Sequence, residues 1–382
     1  MKKKILVFIR RSYIEFEFLY PILKNLKSNY DIYFYFENYS SFSSLKSSKK
    51  NFQVFKKLSS KYYIKKIVDK LFYRLLLKLF IKNSIFNNIK NVTNKQIHSL
   101  DNVCRKLGIL NKNEIKFILT DINTKSQTLL EIIKENNSTQ IYLFSPTPQN
   151  IENSLVNIIK KRKYLFDNID KVLLPFRIDR KKFSKKYLKK FCYVGNTIFD
   201  GVKIKKKYKR NFITVAYNGD INFNVKEYEF AKNFIKILKK INQHKVLIKF
   251  HPIKYNLKIL SLFKNHQNKN FKISNENLIS IVPKSLLFIS IDNTAAISYA
   301  NYFKIPALAY DNFTSRIATD SYQVQKKLVK NCYNLKLLEK QINKIIKNKS
   351  DLHHIQNKSF QSIYPKIVSP KKYFSKLFND KN

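Results

Sequence analysis

Val246-Leu247-Ile248-Lys249-Phe250-His251-Pro252 and Ile289-Ser290-Ile291-Asp292-Asn293-Thr294-Ala295-Ala296 decide the fold of this chain. Each is an apolar run that ends in polar residues, the pattern of a buried strand delivering side chains to a loop at its carboxyl end. The second continues into a helix from Ala295 to about Phe303. A further apolar strand follows, Ile305-Pro306-Ala307-Leu308-Ala309-Tyr310. In open α/β sheets ligands bind outside the carboxyl ends of the strands. The free amides of a helix's first turn suit phosphate. Both loops are therefore candidate binding loops, with an anion as the expected ligand.

Outward from these stretches the same alternation repeats. Phe212-Ile213-Thr214-Val215-Ala216 is a strand followed by Tyr217-Asn218-Gly219-Asp220, where glycine would let backbone amides approach a phosphate. Helices are expected over Val225–Lys240 and Leu257–Phe263. In the first half, Ile5–Ile9 is a strand with Arg10 and Arg11 at its end. Ser12-Tyr13-Ile14-Glu15 has the form of a capping box. A helix through Phe18, Ile22, Leu23 and Leu26 follows, with Pro21 inside it, then a strand over Asp31–Phe36. Ile115–Leu119, Gln140–Phe144, Lys171–Pro175 and Phe191–Asn196 complete this half, with a loop at Asp121–Thr124 and a helix over Gln127–Lys134. The expected class is α/β, with two Rossmann-like domains of parallel strands facing a cleft. Residues 1–202 form the first domain, 203–210 a basic linker and 211–335 the second domain. Residues 336–382 are expected as a basic helical tail.

At 382 residues, 44% of them hydrophobic, with 31 Phe and 24 Tyr, the chain can bury two cores. The formal net charge of +50 points either to an anionic partner or to a bias toward Lys, Asn and Ile at the expense of Gly, Ala and Trp. The bias accounts for most of the lysines. No nucleic-acid-binding module is present, so no nucleic-acid partner is expected. Cys104, Cys192 and Cys332 are isolated and odd in number, which excludes a Cys-rich metal site and fits a reducing compartment. With four glycines in the chain there is neither a Walker loop nor a dinucleotide fingerprint, and no cofactor is expected. The apolar run Ile5–Ile9 is too short for a signal sequence, and no stretch reaches the ~18 apolar residues of a membrane span. A cytoplasmic location follows. Tyr62–Ile89 reads as a basic amphipathic helix. It is either an interfacial helix against an anionic membrane surface, at the inner face of the cell membrane, or a domain helix with one solvated face.

Four stretches resemble the GT-B superfamily of nucleotide-sugar glycosyltransferases and the related UDP-N-acetylglucosamine 2-epimerases. Leu119-Thr120-Asp121-Ile122-Asn123-Thr124 is similar to the epimerases' Gly-Asp-Thr segment, and Val194-Gly195-Asn196-Thr197-Ile198-Phe199-Asp200 to their Gly-Asn-Thr-x-x-Asp segment. Lys249-Phe250-His251-Pro252 resembles the His-Pro motif of bacterial sialyltransferases, capsule transferases and teichoic-acid glycerophosphotransferases. Asp292-Asn293-Thr294-Ala295-Ala296 with Lys304-Ile305-Pro306 is similar to the Asp-Ser-Gly-Gly loop and its trailing Lys-Pro. The family's ribose-binding carboxylate has no counterpart in Ile297-Ser298-Tyr299-Ala300, and the paired glycines are replaced by Thr294 and Ala295. The resemblance implies a nucleotide-sugar donor and a surface-polysaccharide or lipid-linked glycan acceptor.

Glycosyl transfer needs its leaving phosphate stabilised. No two Asp residues are spaced by two, so a metal-free route is expected, with no metal site. Asn293, Thr294 and the amides after them, with His251, Lys249, Asn218 and Gly219, are the candidates for the phosphate side. Asp292 is a further candidate or the N-cap of its helix. The base for the acceptor hydroxyl is expected among Asp121 and Glu17, with Arg10, Arg11 and Arg177 holding an anionic acceptor. The alternatives are a non-catalytic sugar-nucleotide binder and a glycerophosphotransferase or 2-epimerase.

Overall fold

The computed structural model describes residues 2–10, 13–37, 39–64, 100–122, 139–145, 151–161, 163–195, 197–199, 208–219, 224–241, 243–251, 256–291, 296–310, 322–347, 350–364 and 370–379. Arg11, Asp292, Asn293, Thr294, Asn123, Thr124, the helix expected over 127–134 and the amphipathic stretch beyond Ile64 lie outside these residues. The chain divides into two compact units. One comprises Met1–Pro146, Ile151–Asp200 and Pro365–Asn382; the other comprises Thr147–Asn150 and Gly201–Tyr364.

The first unit contains β1 (Lys3–Ile9), α1 (Tyr13–Leu26), β2 (Tyr30–Phe36), α2 (Tyr39–Ser47), α3 (Lys49–Leu58), β3 (Lys61–Ile64) and α4 (Leu100–Leu107). It continues with β4 (Ile115–Asp121), β5 (Gln140–Phe144), α5 (Ile151–Lys161), α6 (Lys163–Asp167), β6 (Lys171–Leu174), α7 (Lys185–Leu188) and β7 (Phe191–Tyr193). Its strands form one sheet in the order β3-β2-β1-β4-β5-β6-β7, and every pairing is parallel. Ile5 to Ile9 are buried at both faces, which is why β1 is apolar without alternation. Tyr62, Tyr63 and Ile64, expected to open a helix, instead pair with β2 as the sheet's edge.

Helix α1 buries Phe18, Leu19, Ile22, Leu23 and Leu26 at helical spacing. Pro21 has no amide to give the Glu17 carbonyl, so the ladder is interrupted there. On the next carbonyl, that of Phe18, the Thr197 hydroxyl donates at 2.6 Å and docks the turn that follows Gly195 onto the helix. Gly195 has φ +69°, a conformation in which glycine carries no Cβ penalty. Ser12 of the expected capping box lies outside the described residues; the fully buried carboxyl of Glu15 accepts the Arg10 amide at 2.8 Å, reaching back to the strand end.

The second unit contains β8 (Phe212–Tyr217), α8 (Val225–Lys240), β9 (Lys245–Phe250), α9 (Leu257–Asn265), β10 (Phe271–Ile273), α10 (Leu278–Ile281) and β11 (Ser285–Ile291). It ends with α11 (Ile297–Tyr302), β12 (Ala307–Tyr310), α12 (Tyr322–Gln325), β13 (Lys330–Asn331), α13 (Leu335–Ile346) and α14 (Leu352–Ile363). Its sheet is again fully parallel, in the order β10-β9-β8-β11-β12-β13. Helix α11 begins later than expected, with Ala296 in the cap position.

At its other end α11 closes in a Schellman turn. The Ile305 amide reaches the Ala300 carbonyl at 2.8 Å and the Lys304 amide reaches Asn301 at 3.1 Å. Lys304 takes the left-handed position with φ 56°. Arg210, expected in a basic linker, caps this helix end through the Phe303 carbonyl at 3.0 Å. The buried Gln356 of α14 holds both the amide and the carbonyl of Ala307 at 2.8 Å, fixing that helix to the first residue of β12.

Residues 336–382, expected as a basic tail, are divided between the two cores. Leu338, Ile342 and Ile345 of α13 belong to the core of the second unit. Helix α15 (Pro370–Asn379) inserts Phe374, Leu377 and Phe378 into the core of the first. There the Phe378 ring lies 4.9 Å from Phe117 and 5.0 Å from Tyr142, and the Tyr142 hydroxyl donates to the Leu377 carbonyl at 2.9 Å. The segment looked like a tail because the apolar surfaces it covers are far away in the sequence.

Phe378→Ala is expected to cost about 3–5 kcal/mol, read as an earlier transition of the first unit in denaturant titration. Lys304→Gly is expected to gain about 1 kcal/mol by relieving the left-handed conformation, read as a higher thermal midpoint.

Candidate functional site

Both sheets run outward from a central strand, then return to its other side. The reversal falls between β1 and β4 in the first sheet and between β8 and β11 in the second. At such a point the connections leave the central strand in opposite directions, and a crevice opens at the carboxyl edge.

In the second unit that edge is held by backbone bonds. The His251 amide donates to the Tyr217 carbonyl at 2.8 Å, and the Asn218 amide to the Ile291 carbonyl at 3.1 Å. The ends of β9, β8 and β11 therefore stand in a row, with half-buried His251 beside half-buried Asn218 and Gly219. Ile291 is the residue immediately before Asp292.

Of the turn after β8, Asp220, Ile221, Asn222 and Phe223 lie outside the described residues, and Asn218, Gly219 and Asn224 flank them. Asn224 caps α8 by accepting from the Lys226 amide at 2.9 Å and the Glu227 amide at 3.4 Å. Glu227 is fully buried. A Cβ at Gly219 would stand 2.1 Å from the Glu227 Oε1 and 3.0 Å from Tyr217. The space that glycine leaves is taken by a carboxyl group of the chain itself, and the Lys226 and Glu227 amides at the start of α8 are already capped. Burial first, then the charge of Glu227, push the Tyr217 hydroxyl well above its ordinary value. Sequence reasoning passed over Glu227, although Asn224 three residues before it has the form of a capping pair.

The Lys249 ammonium donates to the Asn275 carbonyl at 3.1 Å, just past β10 and on the side of β9 away from β8, and burial lowers its pKa.

In the first unit the reversal brings together Arg10, after β1, and Asp121, the last residue of β4. Asp121 is fully buried and pairs in register with Phe144. The backbone of Arg10 is held at both ends, its amide by Glu15 and its carbonyl by the Ser41 hydroxyl of α2. Glu17 lies in α1, the helix that follows β1. Its carboxylate accepts from Asn51 of α3 at 2.7 Å and ties two helices together. Arg177 is exposed beyond β6.

No family model and no curated protein matches the sequence. Solved structures do. MnaA of S. aureus, determined with UDP, superposes over 99% of this chain and 96% of its own, with a TM-score of 0.63 and 15% identity. The UDP-GlcNAc 2-epimerase of Neisseria meningitidis bound to UDP-GlcNAc covers 99% and 100%, with a TM-score of 0.62 and 11% identity. The calicheamicin glycosyltransferase CalG4 covers 98% and 97%, with a TM-score of 0.59 and 10% identity. This is the GT-B fold. At these identities the likeness establishes the architecture, and in a GT-B chain the two reversal points are where ligand chemistry is to be sought.

Gly219→Ala is expected to destabilise by about 1–3 kcal/mol, because the buried Glu227 cannot swing into solvent. In a Glu227→Ala background the same change is expected to cost markedly less. A double-mutant cycle in denaturant checks the coupling.

Proposed function

We propose that the chain is a metal-independent glycosyltransferase, binding a nucleotide sugar at the carboxyl edge of the second sheet and moving the sugar to a surface polysaccharide or lipid-linked glycan. The observation that carries this reading is the row of strand ends at the β8/β11 reversal, where His251 and Asn218 flank the entry to Asp292-Asn293-Thr294. The similar structures that hold UDP or UDP-GlcNAc make a UDP-sugar the first donor to test. In this scheme His251 donates to the leaving phosphate oxygen, with Asn293, Thr294 and the following amides sharing the developing charge. Asp121 takes the proton of the acceptor hydroxyl from the first unit. Arg10 and Arg11 hold the acceptor's negative charge. Glu17 and Lys249 drop out, being committed to Asn51 and Asn275.

A second reading rests on α11, whose six residues Ile297–Tyr302 include no carboxylate to hold the ribose hydroxyls. It is a GT-B protein that binds a sugar nucleotide without turning it over.

Thermal-shift titration against UDP-, CDP-, CMP- and GDP-sugars separates these readings. A UDP-sugar is expected to raise the midpoint, and His251→Ala to abolish the rise. Asp121→Asn is expected to keep donor binding while lowering transfer by about 100-fold or more. Binding with no transfer to any glycan acceptor favours the second reading. Conversion of UDP-GlcNAc without an acceptor would make the chain an epimerase, and silence toward every nucleotide sugar removes the proposal.

A further inference from the structure

Basic residues are unevenly placed on the first unit. Between positions 160 and 190, thirteen of 31 residues are Lys or Arg, about twice the density of the whole chain with its 75 in 382. Only three acids share the segment, and none of them is exposed. Asp167 is paired with Lys186 at 2.8 Å, Asp170 accepts the Ile141 amide at 2.8 Å, and Asp179 accepts the Lys181 amide at 3.1 Å. Among the described residues of the segment, ten basic side chains are exposed and no carboxylate is.

The fold gathers these charges onto one surface. Helix α6 and helix α7 pack together through Phe166 and Tyr187, whose rings lie 5.2 Å apart. The Lys190 ammonium binds the carbonyls of Phe166, Asp167 and Ile169 at 2.6–3.0 Å and locks α6 in place. Lys160, Lys161 and Lys163 at the α5–α6 junction thus join Arg180, Lys181, Lys182, Lys185, Lys186 and Lys189 on one connected piece of structure. Within it stands Tyr164, 56% exposed.

We propose that this face of the first unit docks on an anionic lipid bilayer, with the lysines over the headgroups and Tyr164 at the interface. Charge complementarity is the driving term, since each Lys or Arg near an anionic surface adds a similar increment. A tyrosine ring with a polar tip suits the headgroup level. Nucleic acid is the poorer fit. Single strands are held on successive aromatic platforms, and here Phe166, Phe183, Tyr187 and Phe191 are buried against one another, leaving Tyr164 as the one exposed ring of the segment among the described residues. The surface belongs wholly to the first unit, and docking through it needs no catalysis.

The test is co-flotation of the full chain with phosphatidylglycerol/phosphatidylcholine vesicles and with pure phosphatidylcholine vesicles. The patch variant reverses Arg180, Lys181, Lys185 and Lys189 to Glu. A charge-matched control reverses Lys336, Lys340, Lys344 and Lys358, all exposed on α13 and α14 of the second unit. The patch variant is expected to lose on the order of 100-fold in partitioning onto anionic vesicles, and the control less than about fivefold. Both are expected to keep the parent's melting midpoint and its response to a UDP-sugar. Equal losses in the two variants would mean that net charge alone attracts the chain, overturning the proposal. So would undiminished binding by the patch variant, binding to neutral vesicles as strong as to anionic ones, or patch-dependent binding to a single-stranded RNA probe without vesicle binding.

Discussion

The bond from the Asn218 amide to the Ile291 carbonyl spans the point where the second sheet changes its direction of growth. It carries the pairing of β8 and β11 one residue past the strands. The bond from the His251 amide to the Tyr217 carbonyl does the same for β9 and β8. Three connections, separated by long stretches of sequence, thereby leave the sheet side by side. Both partners in each bond are main-chain groups, so the alignment tolerates wide change in side chains. That tolerance is consistent with a chain that keeps this architecture at 15% identity or less to its structural neighbours.

The first unit uses a related device with side chains added. Its Glu37 amide donates to the Ile9 carbonyl at 2.9 Å, the counterpart of the His251 bond. Glu15 and Ser41 then grip the two ends of the Arg10 peptide. Where other folds of this class place glycines, this chain uses a buried acid and a serine to shape the loop. At Gly219 the chain keeps a glycine, and the missing side chain makes room for the buried Glu227. With four glycines in the whole chain, conformational freedom is replaced by specific polar contacts, and Lys304 and Lys327 adopt left-handed backbone where glycine is the usual residue.

How much of this was legible in the sequence depended on range. The central strands of both sheets were readable because burial on two faces demands uninterrupted apolar runs, and Val225–Lys240 was readable from its helical period. Residue types at the strand ends were readable too, hence His251, Asn218, Asp121 and Arg10. What each side chain would touch was not. Glu17 meets Asn51 and Lys249 meets Asn275, partners 34 and 26 positions away that no local pattern encodes. Alanine's helix propensity places the start of α11 at Ala295 in the sequence, yet the helix begins at Ile297. The last helix reads as part of a basic tail, because the surface its apolar face fits, at Phe117 and Tyr142, is more than 200 residues upstream.

That last helix also sets the order of events during synthesis. Strands β1 to β7 emerge from the ribosome long before α15, yet Phe374, Leu377 and Phe378 are part of the core those strands build. At the roughly 5–20 residues per second of translation, the amino-terminal unit waits on the order of 10–40 s with an apolar gap beside Phe117 and Tyr142. Residues 201–364, made later, have their own core complete first. The nascent chain therefore finishes its earlier half last, and leaves part of an apolar core uncovered in that interval.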